Sequence, residues 1–137
     1  MRVYEFMTTK IESIESDRTV YDAVEIMVDK RVRSLVVRPR GKNSKEAVDG
    51  VLTARDVVFK VLAKGLNPKT IRVSEIASRP LACIEKDMGF DDAATLMEKS
   101  NIARLFVCEG KKVVGVVSLL DVMAAELVMM ARGDHDS

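Results

Sequence analysis

The chain has 137 residues, 47% of them hydrophobic, with 22 Lys and Arg against 21 Asp and Glu. That is ample for a globular core, and a charge balance so close to neutral lacks the electrostatic footprint of a nucleic-acid or membrane binder. No apolar run is long enough for a bilayer span and the start MRVYEFMTTK has no apolar leader, so the protein is expected to stay in the cytoplasm.

A single histidine, His135 in the polar tail, leaves a His-dependent triad or a His-rich metal site without its residues. Cys83 and Cys108 have neither CxxC spacing nor a neighbouring histidine, so they are read as reduced core or edge residues, with a redox switch as the lesser alternative.

In chain order, Thr19 precedes Val20, Ala23, Val24 and Met27 at helical spacing, and Asp22 completes a capping box. This predicts an amphipathic helix over Val20 to Lys30. Leu35-Val36-Val37 and Val48 to Leu52 then predict a β-hairpin around a polar stretch, and a second helix runs from Ala54 to Lys64, stopped by Gly65-Leu66-Asn67-Pro68. The order returns further along. Gly89 caps a stripe of Phe90, Ala93, Ala94 and Met97, Leu105-Phe106-Val107 pairs with Val113 to Val117, and a last helix runs from Leu119 to about Ala131. Its methionines Met123, Met129 and Met130 are read as core or a self-association surface.

The recurrence is a duplication. Residues 2 to 37 match residues 72 to 107 at an offset of 70 with eleven identities, among them Arg2/Arg72, Val3/Val73, Glu5/Glu75, Asp17/Asp87 and Met27/Met97, where average composition would give about two. The match resumes at an offset of 65 with Gly50-Val51 on Gly115-Val116 and Asp56-Val57 on Asp121-Val122, so the first copy carries five extra residues in the loop 39–49. The expected organisation is a first repeat over 1–68, a second over 69–131 and a polar tail over 132–137. The fold class is α/β (α+β), two tandem βαββα units packed sheet to sheet about a pseudo-two-fold axis, because neither copy buries enough surface alone.

The sharpest local feature occurs twice: GVLTARD at 50–56 and GVVSLLD at 115–121, each passing from strand to helix. Thr53 or Ser118 is the N-cap, with Asp56 or Asp121 three residues on, and that alone is a sufficient role. The same atoms also suit a nucleoside phosphate. Free N–H groups and a hydroxyl favour an anionic oxygen, and a fixed carboxylate accepts from a ribose diol. Gly50 and Gly115 would let such a ligand approach the backbone.

The duplication, the hairpins and the paired Gly-h-h-[Ser/Thr]-x-x-Asp motifs resemble a pair of cystathionine β-synthase (CBS) domains, a Bateman module, over about Val3 to Leu127. The segments 31–37 and 101–107 are similar to that family's strand-entry signature. The resemblance implies a stand-alone CBS-domain protein and a regulatory sensor, not an enzyme, for AMP, ADP, ATP or S-adenosylmethionine. It also implies that each pocket joins the motif of one repeat to the strand-entry segment and first strand of the other. One pocket would hold Thr53, Arg55 and Asp56 with Leu81, Ala82, Ile102, Ala103 and Arg104. The other would hold Ser118 and Asp121 with Ile11, Glu12, Val32, Arg33 and Ser34. Arg55 and Arg104 make the first the better expected anion site, since Leu120 replaces Arg55 and Glu12 adds negative charge in the second.

A homodimer is expected through helical faces that include Val57, Val61, Met123 and Leu127, and with no effector domain in view the output would pass to a partner protein. The alternative is a dimeric interaction scaffold with vestigial pockets that presents the loop Arg38 to Asp49, with its basic residues Arg38, Arg40, Lys42 and Lys45.

Overall fold

The computed structural model describes residues 1–40, 50–78 and 83–133. The expected loop 39–49 lies outside these from residue 41 on, as do Leu81, Ala82 and His135. No helix among the described residues is long and apolar enough to cross a membrane.

Two compact units form, one from Ile11–Leu81 and one from Met1–Lys10 together with Ala82–Ser137. In the first, β1 (Ser13–Glu15) pairs in parallel with β2 (Ser34–Arg38), which pairs antiparallel with β3 (Gly50–Thr53). Helix α1 (Val20–Lys30) makes the crossover that parallel strands require. It begins as its capping box dictates: the Asp22 N–H donates to Thr19 Oγ1 and the Thr19 N–H to Asp22 Oδ2, both at 3.1 Å. It ends at Arg31, which adopts the left-handed conformation (φ 56°) and donates its N–H to the Met27 carbonyl.

The expected helix over Ala54 to Lys64 is α2 (Ala54–Val57) continued by a π-helical turn, Val58–Leu62. Its wider winding, with the Ala63 N–H reaching Val58 O at 2.7 Å, accompanies burial of both Val57 and Val61 in the core with Ile14, Val20, Ala23, Met27, Leu35 and Leu52. Val57 and Val61 are therefore internal packing of this unit and cannot present a dimer face, contrary to the sequence expectation.

The second unit repeats the plan. β4 (Cys83–Ile84) is parallel to β5 (Arg104–Glu109), β5 is antiparallel to β6 (Lys112–Ser118), α4 (Phe90–Ser100) links the first two, and α5 (Leu119–Arg132) comes last. Ile84, Ala93, Met97, Leu105, Val107 and Val117 form its core, so five of them occupy the offset-70 positions of Ile14, Ala23, Met27, Leu35 and Val37. On α5, Met129 is buried while Met123 and Leu127 stand 64% and 71% exposed.

The leading segments of the repeats are exchanged. Residues 2–8 open the first repeat in sequence, yet Val3 sits in the core of the second-repeat unit, donating its N–H to Met88 O at 2.8 Å, and Tyr4 N–H reaches Lys86 O at 3.0 Å. Residues 72–78 do the same in the first-repeat unit. There Val73 is core and donates to Arg18 O at 2.8 Å, and Ser74 N–H reaches Ser16 O at 3.0 Å. Each leader is a short helical turn, Val3–Glu5 or α3 (Val73–Ile76), and its Glu accepts the N–H of Arg2 or Arg72 at 2.6 Å. Those arginines in turn donate to the Asp87 and Asp17 carbonyls. The identities Arg2/Arg72, Val3/Val73 and Glu5/Glu75 thus share one physical cause. They build the same clasp twice.

Candidate functional site

Both Gly-h-h-[Ser/Thr]-x-x-Asp motifs form the strand-to-helix junction expected of them. At the end of β3, Thr53 keeps an extended backbone (φ −107°, ψ 160°), its Oγ1 accepts the Asp56 N–H at 3.1 Å, and its own N–H donates to Asp56 Oδ2 at 3.0 Å. At the end of β6, Ser118 Oγ accepts the Asp121 N–H at 3.2 Å while the Ser118 N–H donates to Asp121 Oδ2 at 2.9 Å. One carboxylate oxygen and the hydroxyl's acceptor role are therefore committed to the cap. The hydroxyl proton and the remaining carboxylate lone pairs are what each junction can offer a ligand.

The second oxygens have different surroundings. Lys60 Nζ lies 3.1 Å from Asp56 Oδ1, and the Asp56 side chain is only 14% exposed. Thr8 Oγ1 stands 3.4 Å from both oxygens of Asp121. Neither Lys60 nor Thr8 belongs to the motif that marks the site in the sequence. Lys60 has a signal in its i,i+4 spacing from Asp56, whereas Thr8 reaches Asp121 only through the exchanged leader, whose Thr8 N–H and C=O pair with Val116 at 2.8 and 2.9 Å.

Gly115 has a different use from the ligand approach expected of it. A Cβ there would stand 2.9 Å from Met7 Cγ, so the bare backbone admits the leader's methionine.

Within each unit the strand-entry segment lies against the motif of its own repeat. Ser34 is opposite Thr53 and Arg104 opposite Ser118, while the N–H groups of Ala54 and Leu119 donate to the Arg33 and Ala103 carbonyls at 2.9 and 3.2 Å. Ile11, Glu12, Val32, Arg33, Ser34, Thr53, Arg55 and Asp56 thus belong to one unit, and Ile102, Ala103, Arg104, Ser118 and Asp121 to the other. Val32 packs against the core, and Glu12 accepts the Val36 N–H through its carbonyl at 3.0 Å. The Arg55 guanidinium lies 4.4 Å from the centroid of the Phe59 ring, a cation–π contact along its own helix.

In the second-repeat unit Ile102 and Ala103 also line an apolar groove with Ala94, Met97, Leu119 and Met123, of about 580 Å³. In the first-repeat unit Arg40 is engaged by Asp17 at 2.6 Å and by Glu15 at 3.4 Å, which holds the Asp17 carboxyl below its ordinary range. This basic residue is therefore paired, while Lys42 and Lys45 lie outside the described residues.

A family model described as CBS domain matches residues 3–63 and again 73–128. A Methanopyrus kandleri protein described as uncharacterized is 34% identical over 69% of this chain and 48% of its own length, so the chain spans about half of that relative. Among solved structures, the hexameric CBS-CP12 protein from bloom-forming cyanobacteria superposes with a TM-score of 0.79 at 31% identity, over 98% of this chain and 80% of that one. CBSX2 in complex with AMP superposes with a TM-score of 0.75 at 23% identity, over 94% and 98%.

Proposed function

The chain belongs to the CBS-domain family, and from that premise we propose that it is a non-catalytic, cytoplasmic regulatory module that binds an adenosine nucleotide and passes the signal to a partner protein. AMP, ADP and ATP are the first candidates, and S-adenosylmethionine shares the adenosine group. The observation that carries the reading is the duplicated junction. Two helix starts each present a hydroxyl and a partly buried carboxylate beside a polar strand entry, the chemistry that a nucleoside phosphate requires. The fold shared with CBSX2, which binds AMP, adds to it.

In this reading Thr53, Arg55 and Asp56 act with Leu81, Ala82, Ile102, Ala103 and Arg104, and Ser118 and Asp121 act with Ile11, Glu12, Val32, Arg33 and Ser34. Asp takes the ribose, the hydroxyl approaches phosphate, and the aliphatic side chains cover the purine. Control arises only if the nucleotide has different affinities for two arrangements of the module. Calorimetry and thermal melting with AMP, ADP, ATP, S-adenosylmethionine and GMP test the proposal. An adenosine ligand should raise the melting temperature and bind at least about tenfold more tightly than GMP. Flat titrations with every adenosine ligand at millimolar concentration would reject it.

A dimeric interaction scaffold is the second reading, favoured by the run of exposed apolar side chains on α5: Leu120, Met123, Leu127 and Met130. Either reading includes a homodimer through that helix, which light scattering decides.

A further inference from the structure

Cys83 and Cys108, read from the sequence as reduced core or edge residues with a redox switch as the lesser alternative, form a disulfide in the second-repeat unit, their Cα atoms 5.5 Å apart across a 25-residue separation. The physical reason is strand pairing. Parallel β4 and β5 place Cys83 opposite Phe106, and Cys108 lies two residues further along β5, on the same face as Phe106 and diagonal to Cys83. Spacing along the chain carries no trace of that neighbourhood.

The bond closes one of two comparable edges. β4 and β1 are each an outer strand of their sheet, and among the described residues β4 pairs at Cys83↔Phe106 and Ile84↔Val107, as β1 does at Ser13↔Val36 and Ile14↔Val37. In the first repeat the matching positions are Ser13 and Arg38, so one edge is held by hydrogen bonds alone and the other by a covalent link as well. The turn that follows β4 carries the clasp: the carbonyls of Lys86, Asp87 and Met88 receive Tyr4, Arg2 and Val3 of the leader. Cys83 is exposed and Cys108 half-buried, so a small thiol has access to one sulfur.

We propose that Cys83–Cys108 is a reversible redox site, exchanging with small thiols and disulfides of the glutathione class and setting how firmly β4 and the leader clasp are held. In the oxidising direction the Cys83 thiolate attacks a glutathione disulfide, forming a mixed disulfide and releasing one glutathione thiolate. The Cys108 thiolate then attacks the Cys83 sulfur and releases the second. The protein gives up two electrons and two protons, and one glutathione disulfide becomes two glutathione thiols. Reduction is the reverse exchange. The site stands independently of the nucleotide reading.

The test equilibrates the full chain in buffers of varied glutathione to glutathione disulfide ratio, traps free thiols by alkylation, and reads mass and amide hydrogen exchange. The expected result is a two-electron transition within that series, with amides of residues 83–89 exchanging about tenfold or more faster when reduced while those of 13–19 are unchanged. The reduced protein should also melt about 5 °C or more lower. Cys83→Ser and Cys108→Ser should each behave as the reduced form in every buffer. If either variant fails to fold, the wild-type chain reduced and alkylated supplies the same comparison. An intramolecular bond that never forms, one that native glutathione never opens, or exchange in 83–89 that is indifferent to redox state would each overturn the proposal.

Discussion

Lys60 Nζ bridges Asp56 Oδ1, at 3.1 Å, and the Ile76 carbonyl, at 3.0 Å. It thereby ties the carboxylate of the first motif to the exchanged segment beside it. At the offset of 65, the corresponding residue of the second repeat is Ala125, which is buried. The two aspartates are therefore chemically unequal, one paired with a cation and the other approached by the Thr8 hydroxyl.

The inequality bears on nucleotide affinity. Lys60 adds positive charge where Arg55 and Arg104 are proposed to act, and Asp56 retains lone pairs for a ribose diol. Asp56→Ala should weaken AMP binding about tenfold or more, the scale of a charge-assisted hydrogen bond, and Asp121→Ala should weaken it less. Each also loses the carboxylate half of its capping box and a favourable charge at the helix start, about 0.5–1 kcal/mol of stability. Calorimetry separates the effects, and equal affinity in both variants and the wild type would leave the motifs as caps alone.

The leader exchange makes residues 2–8 important for the stability of the second-repeat unit. Val3 is fully buried there. Val3→Ala should cost roughly 2 kcal/mol, close to the cost of Val73→Ala, as read by denaturant unfolding. A loss below about 0.5 kcal/mol for Val3 alone would show that the leader is not held in solution.

Gly115 and Met7 make a coupled pair. Gly115→Ala drives a methyl group into the methionine side chain and should destabilise by about 1 kcal/mol, limited by the flexibility of Met. In a Met7→Ala background the same substitution should cost less, and a double-mutant cycle measures the difference. Additive losses would place the strain elsewhere.

Acid stability depends on Asp22. The Arg18 guanidinium, with Nε 3.0 Å away, and then the Thr19 N–H hold its carboxyl below the ordinary range. A depressed folded-state pKa means that the contribution is complete above the unfolded value, about 4, and is lost as pH falls through the lower folded value. The wild type should therefore lose melting temperature more steeply below about pH 4 than Asp22→Asn does. Parallel slopes would assign the acid sensitivity to other carboxylates, Asp17 beside Arg40 first.

Sequence alone determined the elements whose causes are local. The boundaries of α1 follow from Thr19, Asp22 and the 3.6-residue stripe, both motif junctions follow from a cap and an acid three residues apart, and duplication makes each reading twice secure. Tertiary structure alone decided which distant groups complete those elements. Thr8 meets Asp121 across 113 positions and Arg72 meets the Asp17 carbonyl across 55, and Cys83 finds Cys108 through strand register. The reason is that capping and periodicity act within a turn of chain. Exchange of the leaders instead buries Val3 and Val73 in cores built by residues of the other repeat, and a single valine carries no local sign of the core that will receive it.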